Sequence, residues 1–184
     1  MRGLNLPFVQ RLASFTLPAL LGIGVLGLTR NVAAQERTIE DKAPVIEIGP
    51  AAERDLKQKT SAYGVSIAIE KTAIEEWLEL EVGVAYLTNA GRNQLGVGLL
   101  FKKPFDLSPR TELMVGIGPT LTRKLNGDER GTSLGLQVAL DLMFWATEAK
   151  VVGWYFEPTY AIGLGNSKGE RSLGGSAGLL IRWK

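Results

Sequence analysis

From Ser61 to the end of the chain, large apolar residues fall on every second position. Tyr63, Val65, Ile67 and Ile69 alternate with Gly64, Ser66, Ala68 and Glu70. Within Trp77–Thr88, Leu78, Leu80, Val82, Val84 and Tyr86 oppose Glu79, Glu81, Gly83 and Ala85. The pattern returns in Leu95–Phe101, Leu113–Leu121, Leu134–Phe144, Val152–Leu164 and Leu173–Trp183, making seven segments in all. Successive side chains of a strand point to opposite faces, so each segment predicts a strand with one apolar face. A helix would not give period two, and this much glycine would weaken one. KTAIEE, NAGRN, KPFDLSPR, KLNGDERG, TEAK and NSKGE separate the segments and read as turns. Connections this short favour antiparallel neighbours in an up-and-down meander. Leu87, Leu100, Met114, Met143, Tyr155 and Leu180 break the rule as large residues on the minor parity, and Gly175 and Ala177 are small ones on the major parity.

Two all-β barrels fit this pattern. A soluble, lipocalin-like barrel turns its apolar parity inward to bind an apolar ligand. A membrane barrel turns it outward to lipid. The minor parity separates them. It is mainly Gly, Ala, Ser and Thr with about one charge per strand, whereas a water-facing surface would carry more Lys and Glu. Small residues suit the crowded bore of a narrow barrel. The segments run about ten residues, enough for a tilted crossing of the hydrocarbon layer. Tyr63, Trp77, Tyr86, Phe101, Phe144, Trp154 and Trp183 fall near segment ends, where an aromatic girdle belongs. The expected fold is therefore all-β, an antiparallel transmembrane β-barrel.

The first 34 residues differ from the rest. MRGLNLPFVQR is a basic head, LASFTLPALLGIGVLGL is apolar, and Val32-Ala33-Ala34 is a small-x-small ending. This is the anatomy of a secretory signal peptide, with cleavage expected after Ala34. A retained membrane anchor is the alternative, but the apolar part is short and contains Pro18. Charge follows the same boundary. Without Arg2, Arg11 and Arg30, 18 Lys and Arg face 19 Asp and Glu, so the remainder is near neutral and has no nucleic-acid binder's basic surplus. Residues 35–60 form a charged segment, and the barrel is expected over 61–184.

The closing strand SLGGSAGLLIRW, followed by Lys184, resembles the C-terminal signal of bacterial outer-membrane proteins, with alternating apolar residues and a final aromatic. The layout from Ser61 to Trp183 resembles small outer-membrane barrels of the OmpA and OmpX type. That resemblance implies an outer-membrane location, contact with membrane lipid and lipopolysaccharide, and insertion by the barrel assembly machinery through the last strand. It names no activity.

Bacterial barrels of this kind have even strand numbers. PVIEI, Pro44–Ile48, can supply the eighth strand. Both termini, KTAIEE, KPFDLSPR and TEAK would then be periplasmic. PAAERDLKQKT, NAGRN, KLNGDERG and NSKGE would face outward.

The inward parity places Glu70, Glu79, Glu81, Lys102, Arg110, Glu112, Gln137, Asp141, Glu157 and Arg182 in the lumen. Charges in a narrow bore must pair, so a structural salt-bridge network is the expected use, and a small cation-leaning pore is the alternative. Catalysis is not expected. The chain has no histidine and no cysteine, and the familiar lipid A-modifying and omptin-like barrel enzymes rely on a histidine. Zinc, copper and haem sites usually need one of the same side chains, and no Asp-x-Asp-x-Asp-Gly calcium loop is present. No cofactor is expected. The remaining readings are a structural or surface-interaction protein of the outer membrane, a narrow channel, and a soluble periplasmic ligand binder.

Overall fold

The computed structural model describes residues 43–126 and 131–183. The expected signal segment and the tip of the KLNGDERG loop, 127–130, lie outside the described residues. Eight strands follow in order: β1 (Val45–Asp55), β2 (Ser61–Ile74), β3 (Leu78–Asn89), β4 (Arg92–Ser108), β5 (Thr111–Lys124), β6 (Gly131–Trp145), β7 (Val152–Leu164) and β8 (Arg171–Arg182). Each pairs antiparallel with the next, and β1 pairs with β8, closing the barrel. Closure pairs every described strand with a neighbour on each side.

The strands alternate as the sequence does. Val65, Ile69, Val82 and Leu179 point outward and are more than half exposed, whereas Glu70, Lys102, Asp141 and Leu180 point inward and are buried. Val97 is exposed, Leu95, Leu113 and Leu136 are half-buried, and Glu79 is buried. The apolar parity is thus the outer surface. The six large residues on the minor parity, Leu87, Leu100, Met114, Met143, Tyr155 and Leu180, are all buried inside. They are the filling of the bore.

The boundaries depart from expectation where proline occurs. The barrel starts at Val45, in the PVIEI segment expected to supply the eighth strand, but β1 runs on to Asp55 through Pro50, in residues expected as loop. Proline lacks the N–H that a ladder uses. The β1–β8 ladder is interrupted there: Ile48 pairs with Leu179 and Ala51 with Ser176, but the pairs between are missing. The register is unchanged across the gap. Pro119 and Pro158 sit at equivalent gaps, in β4–β5 between Gly98↔Thr120 and Phe101↔Ile117, and in β6–β7 between Ala139↔Thr159 and Leu142↔Phe156. KPFDLSPR is likewise mostly strand. Pro104 lies beyond the last β3–β4 pair, Glu79↔Lys102, so its missing N–H removes no β3 bond. The turn itself is only Pro109-Arg110.

The two ends of the barrel differ. The terminal end carries both chain ends of the barrel and the β2–β3, β4–β5 and β6–β7 turns. Here the Trp183 N–H donates to the Pro44 carbonyl at 2.9 Å and the Arg182 N–H to the Val151 carbonyl at 2.9 Å. The loop end carries the other four connections. Ala90 and Gly91 both have positive φ (45° and 80°), the two-residue hairpin geometry for which glycine is suited. The Leu125 N–H donates to the Asn93 carbonyl at 2.8 Å and the Asn126 amide to the Gly91 carbonyl at 2.8 Å, tying two loops together.

Candidate functional site in the barrel lumen

The centre of the lumen is built around one lysine. Lys102 enters from β4 with no exposed surface. Its Nζ lies 3.3 Å from Glu70 of β2, 2.9 Å from Asp141 of β6 and 2.8 Å from Glu157 of β7, and it also pairs with Glu81 of β3. The acids converge because each occupies an inward position of its own strand. Gly116 makes room: a Cβ there would press on the Lys102 stem. Glu47 of β1 is also buried, and its Oε1 has no hydrogen-bond partner among the described residues. One carboxylate oxygen from each of Glu47, Glu70, Glu81 and Asp141 lies within 4.8 Å of the others. That spacing would suit a shared cation, and the Lys102 ammonium already reaches three of the four.

Towards the terminal end the bore is filled. Val45, Met114, Met143, Trp145, Tyr155 and Leu180 form one apolar cluster. Trp145 Nε1 donates to Glu112 at 3.3 Å, and Lys150, from the β6–β7 turn, reaches back to pair with the same carboxylate. The Arg182 guanidinium stacks 5.0 Å from the Trp145 ring centroid, a cation–π contact. The Thr72 hydroxyl donates to Glu79 at 3.0 Å. The space left among these groups is about 20 Å³, room for about one water.

Towards the loop end the bore is open. A cavity of about 330 Å³ lies inside the rim, and a second of about 130 Å³ lies below it. Glu53, Gln94, Thr120, Thr122 and Gln137 line both, so the two adjoin. Glu47, Glu81 and Glu157 line the lower one.

The predicted lumen residues are therefore distributed in three groups. Glu70, Glu81, Asp141 and Glu157 meet at Lys102, while Glu79, Glu112 and Arg182 lie at the terminal end and Gln137 walls the open cavities. Arg110 is a correction: it is exposed in the β4–β5 turn, because β4 continues to Ser108 and leaves only two residues to reverse the chain. Among the aromatics, Tyr63, Trp77, Tyr86, Trp154 and Trp183 are exposed on the outer side, and Phe144 stacks on Trp154 with ring centroids 6.3 Å apart. Phe101 is also outside but in the middle of β4, for the same reason that Arg110 is displaced. Sequence reasoning missed Glu47, Trp145 and Lys150. Glu47 was detectable as the only charge in PVIEI, and Trp145 continues the inward parity of β6. Lys150 gave no signal, since its side chain enters from a turn.

A closed, eight-stranded, up-and-down barrel with an apolar exterior and charged groups in its lumen is the fold of the OmpA/OmpX-like outer-membrane barrels, and the chain has that fold. It is similar to Neisserial surface protein A at 17% identity and a TM-score of 0.60, over 76% of this chain and 96% of that one. It is also similar to Ail, the attachment invasion locus protein of Yersinia pestis, at 12% identity and a TM-score of 0.50, over 77% of this chain and 99% of that one. No protein-family model and no curated protein matches the chain.

Proposed function

We propose that this chain is an integral outer-membrane barrel with a structural or surface-interaction role, exported by its first 34 residues. The observation that carries the reading is the exposed apolar belt. Residues such as Val65, Ile69, Val82, Leu140, Phe156 and Leu179 cover the outside of a closed barrel. A continuous apolar exterior of this extent is unfavourable in water and favourable in lipid. The soluble ligand-binder reading needs the reverse polarity. Both chain ends of the barrel then face the periplasm and the loop end faces outward. The fold neighbours are named for a surface protein and for attachment, which is consistent with a role at the loop end but is only analogy of fold. β8 offers the last strand to the assembly machinery, and the outer face meets lipid and lipopolysaccharide.

Cell fractionation followed by gel migration tests this. The protein should remain with outer membranes until detergent is added, migrate as a compact species unheated, and shift on boiling. N-terminal sequencing of the membrane-bound form should begin after Ala34. Release into the periplasmic fraction without detergent would refute the reading.

A further inference from the structure

We propose that the loop-end cavity binds a small organic monocation, with its ammonium group held by Glu47. The lower cavity adjoins the one inside the rim, and Glu47, Glu81 and Glu157 make its acidic floor. This floor holds more carboxylates than the single lysine serves. Lys102 pairs with Glu70, Glu81, Asp141 and Glu157, and Glu47 is left outside that set. Glu47 is only 2% exposed, and its Oε1 has no hydrogen-bond partner among the described residues. A buried carboxylate oxygen without a donor is costly, and a cation arriving from the cavity would relieve that cost.

The same geometry selects the kind of cation. One oxygen each from Glu47, Glu70, Glu81 and Asp141 lies within 4.8 Å of the others, close enough to share positive charge. The Lys102 ammonium already lies among them. A newcomer must therefore sit on the cavity side, against Glu47, the carboxylate that Lys102 does not pair with. The lower cavity, about 130 Å³, also exceeds the volume of a bare ion. Its walls carry amides and hydroxyls from Gln94, Thr120, Thr122 and Gln137, which suit a hydrogen-bonding body attached to the ammonium group. Ethanolamine is the simplest probe with these properties.

The test is calorimetric titration of the full-length gene product, extracted in detergent with its barrel folded, with ethanolamine hydrochloride. Saturable one-to-one binding is expected, weakened at least tenfold by Glu47→Gln. Glu148→Gln, in the exposed β6–β7 turn at the opposite end, should leave it unchanged. Glu47→Gln removes a charge outside the Lys102 pairs, so the variant should keep its unheated compact migration. Absence of saturable binding by the unaltered protein would overturn the proposal without reference to any variant. So would equal affinity in Glu47→Gln, or tighter binding of calcium than of ethanolamine at matched ionic strength. None of these results bears on membrane residence, which fractionation decides separately.

Discussion

At the scale of single residues, Lys102 has the most concentrated role. Four carboxylates from four strands meet its ammonium, so one side chain ties β2, β3, β6 and β7 to β4 through the middle of the barrel. Breaking a buried ion pair from one side leaves uncompensated charge behind, typically at a cost of about 3–5 kcal/mol. Lys102→Met keeps most of the stem volume and removes only the charge. It should lower unfolding stability by about that amount, read as a shift of the urea midpoint in lipid vesicles. Arg110 is the contrast. It belongs to the same chemical class but is exposed in a two-residue turn, so Arg110→Ala should change stability by no more than about 0.5 kcal/mol in the same assay. A barrel in which both substitutions cost the same would contradict the assignment of these two residues.

At the scale of the strand, adjacent positions should respond to opposite changes. Leu140 and Ala139 are neighbours in β6. Leu140 is about half exposed on the outer face, and Ala139 is buried against the Gly116 position. Leu140→Lys should cost about 2–4 kcal/mol if that face meets the middle of the bilayer. Ala139→Leu should cost about 1–3 kcal/mol by overpacking the bore. Denaturant unfolding in vesicles measures both, and a neutral Leu140→Lys would mean that the outer face meets water. The strands and their two faces were legible in the sequence because period-two alternation survives wherever one side is apolar and the other is small. Even the large exceptions, such as Met143 and Leu180, stood on the parity that turned out to be interior. What was not legible came from proline. Pro50 and Pro104 read as breakers, yet in a closed sheet a strand can lose pairs on one side while its other neighbour holds it in register. That shortened β1 and β4 in the reading, drew Arg110 into the lumen and put Phe101 at a strand end. The central cluster was only partly legible. Parity supplied Glu70, Glu81, Lys102, Asp141 and Glu157 as inward residues, but their meeting at one ammonium depends on the stagger between strands, which pattern alone does not carry.

At the scale of the whole molecule, the barrel is a cup rather than a tube. The loop end opens on about 330 Å³ of polar space, while the terminal end retains about 20 Å³. Between them stand the Lys102 cluster and the apolar group of Met114, Met143, Tyr155 and Leu180, each of whose members is almost wholly buried. An ion crossing this region would shed its water beside methyl and methylene groups, and desolvation of a charge in such surroundings is prohibitive unless partners replace the lost water. The carboxylates around Lys102 add repulsion for anions. The protein should therefore give no unitary current steps in planar bilayers at moderate voltage. Lys150→Ala separates the mouth from the inner partition. It removes the turn lysine that reaches over the terminal mouth to Glu112 but leaves the inner partition intact. If the partition is what blocks passage, this variant should be as silent as the unaltered protein. Steps appearing in Lys150→Ala alone would place the barrier at the mouth, and steps in the unaltered protein would mean that the buried layer opens on its own, restoring the channel reading.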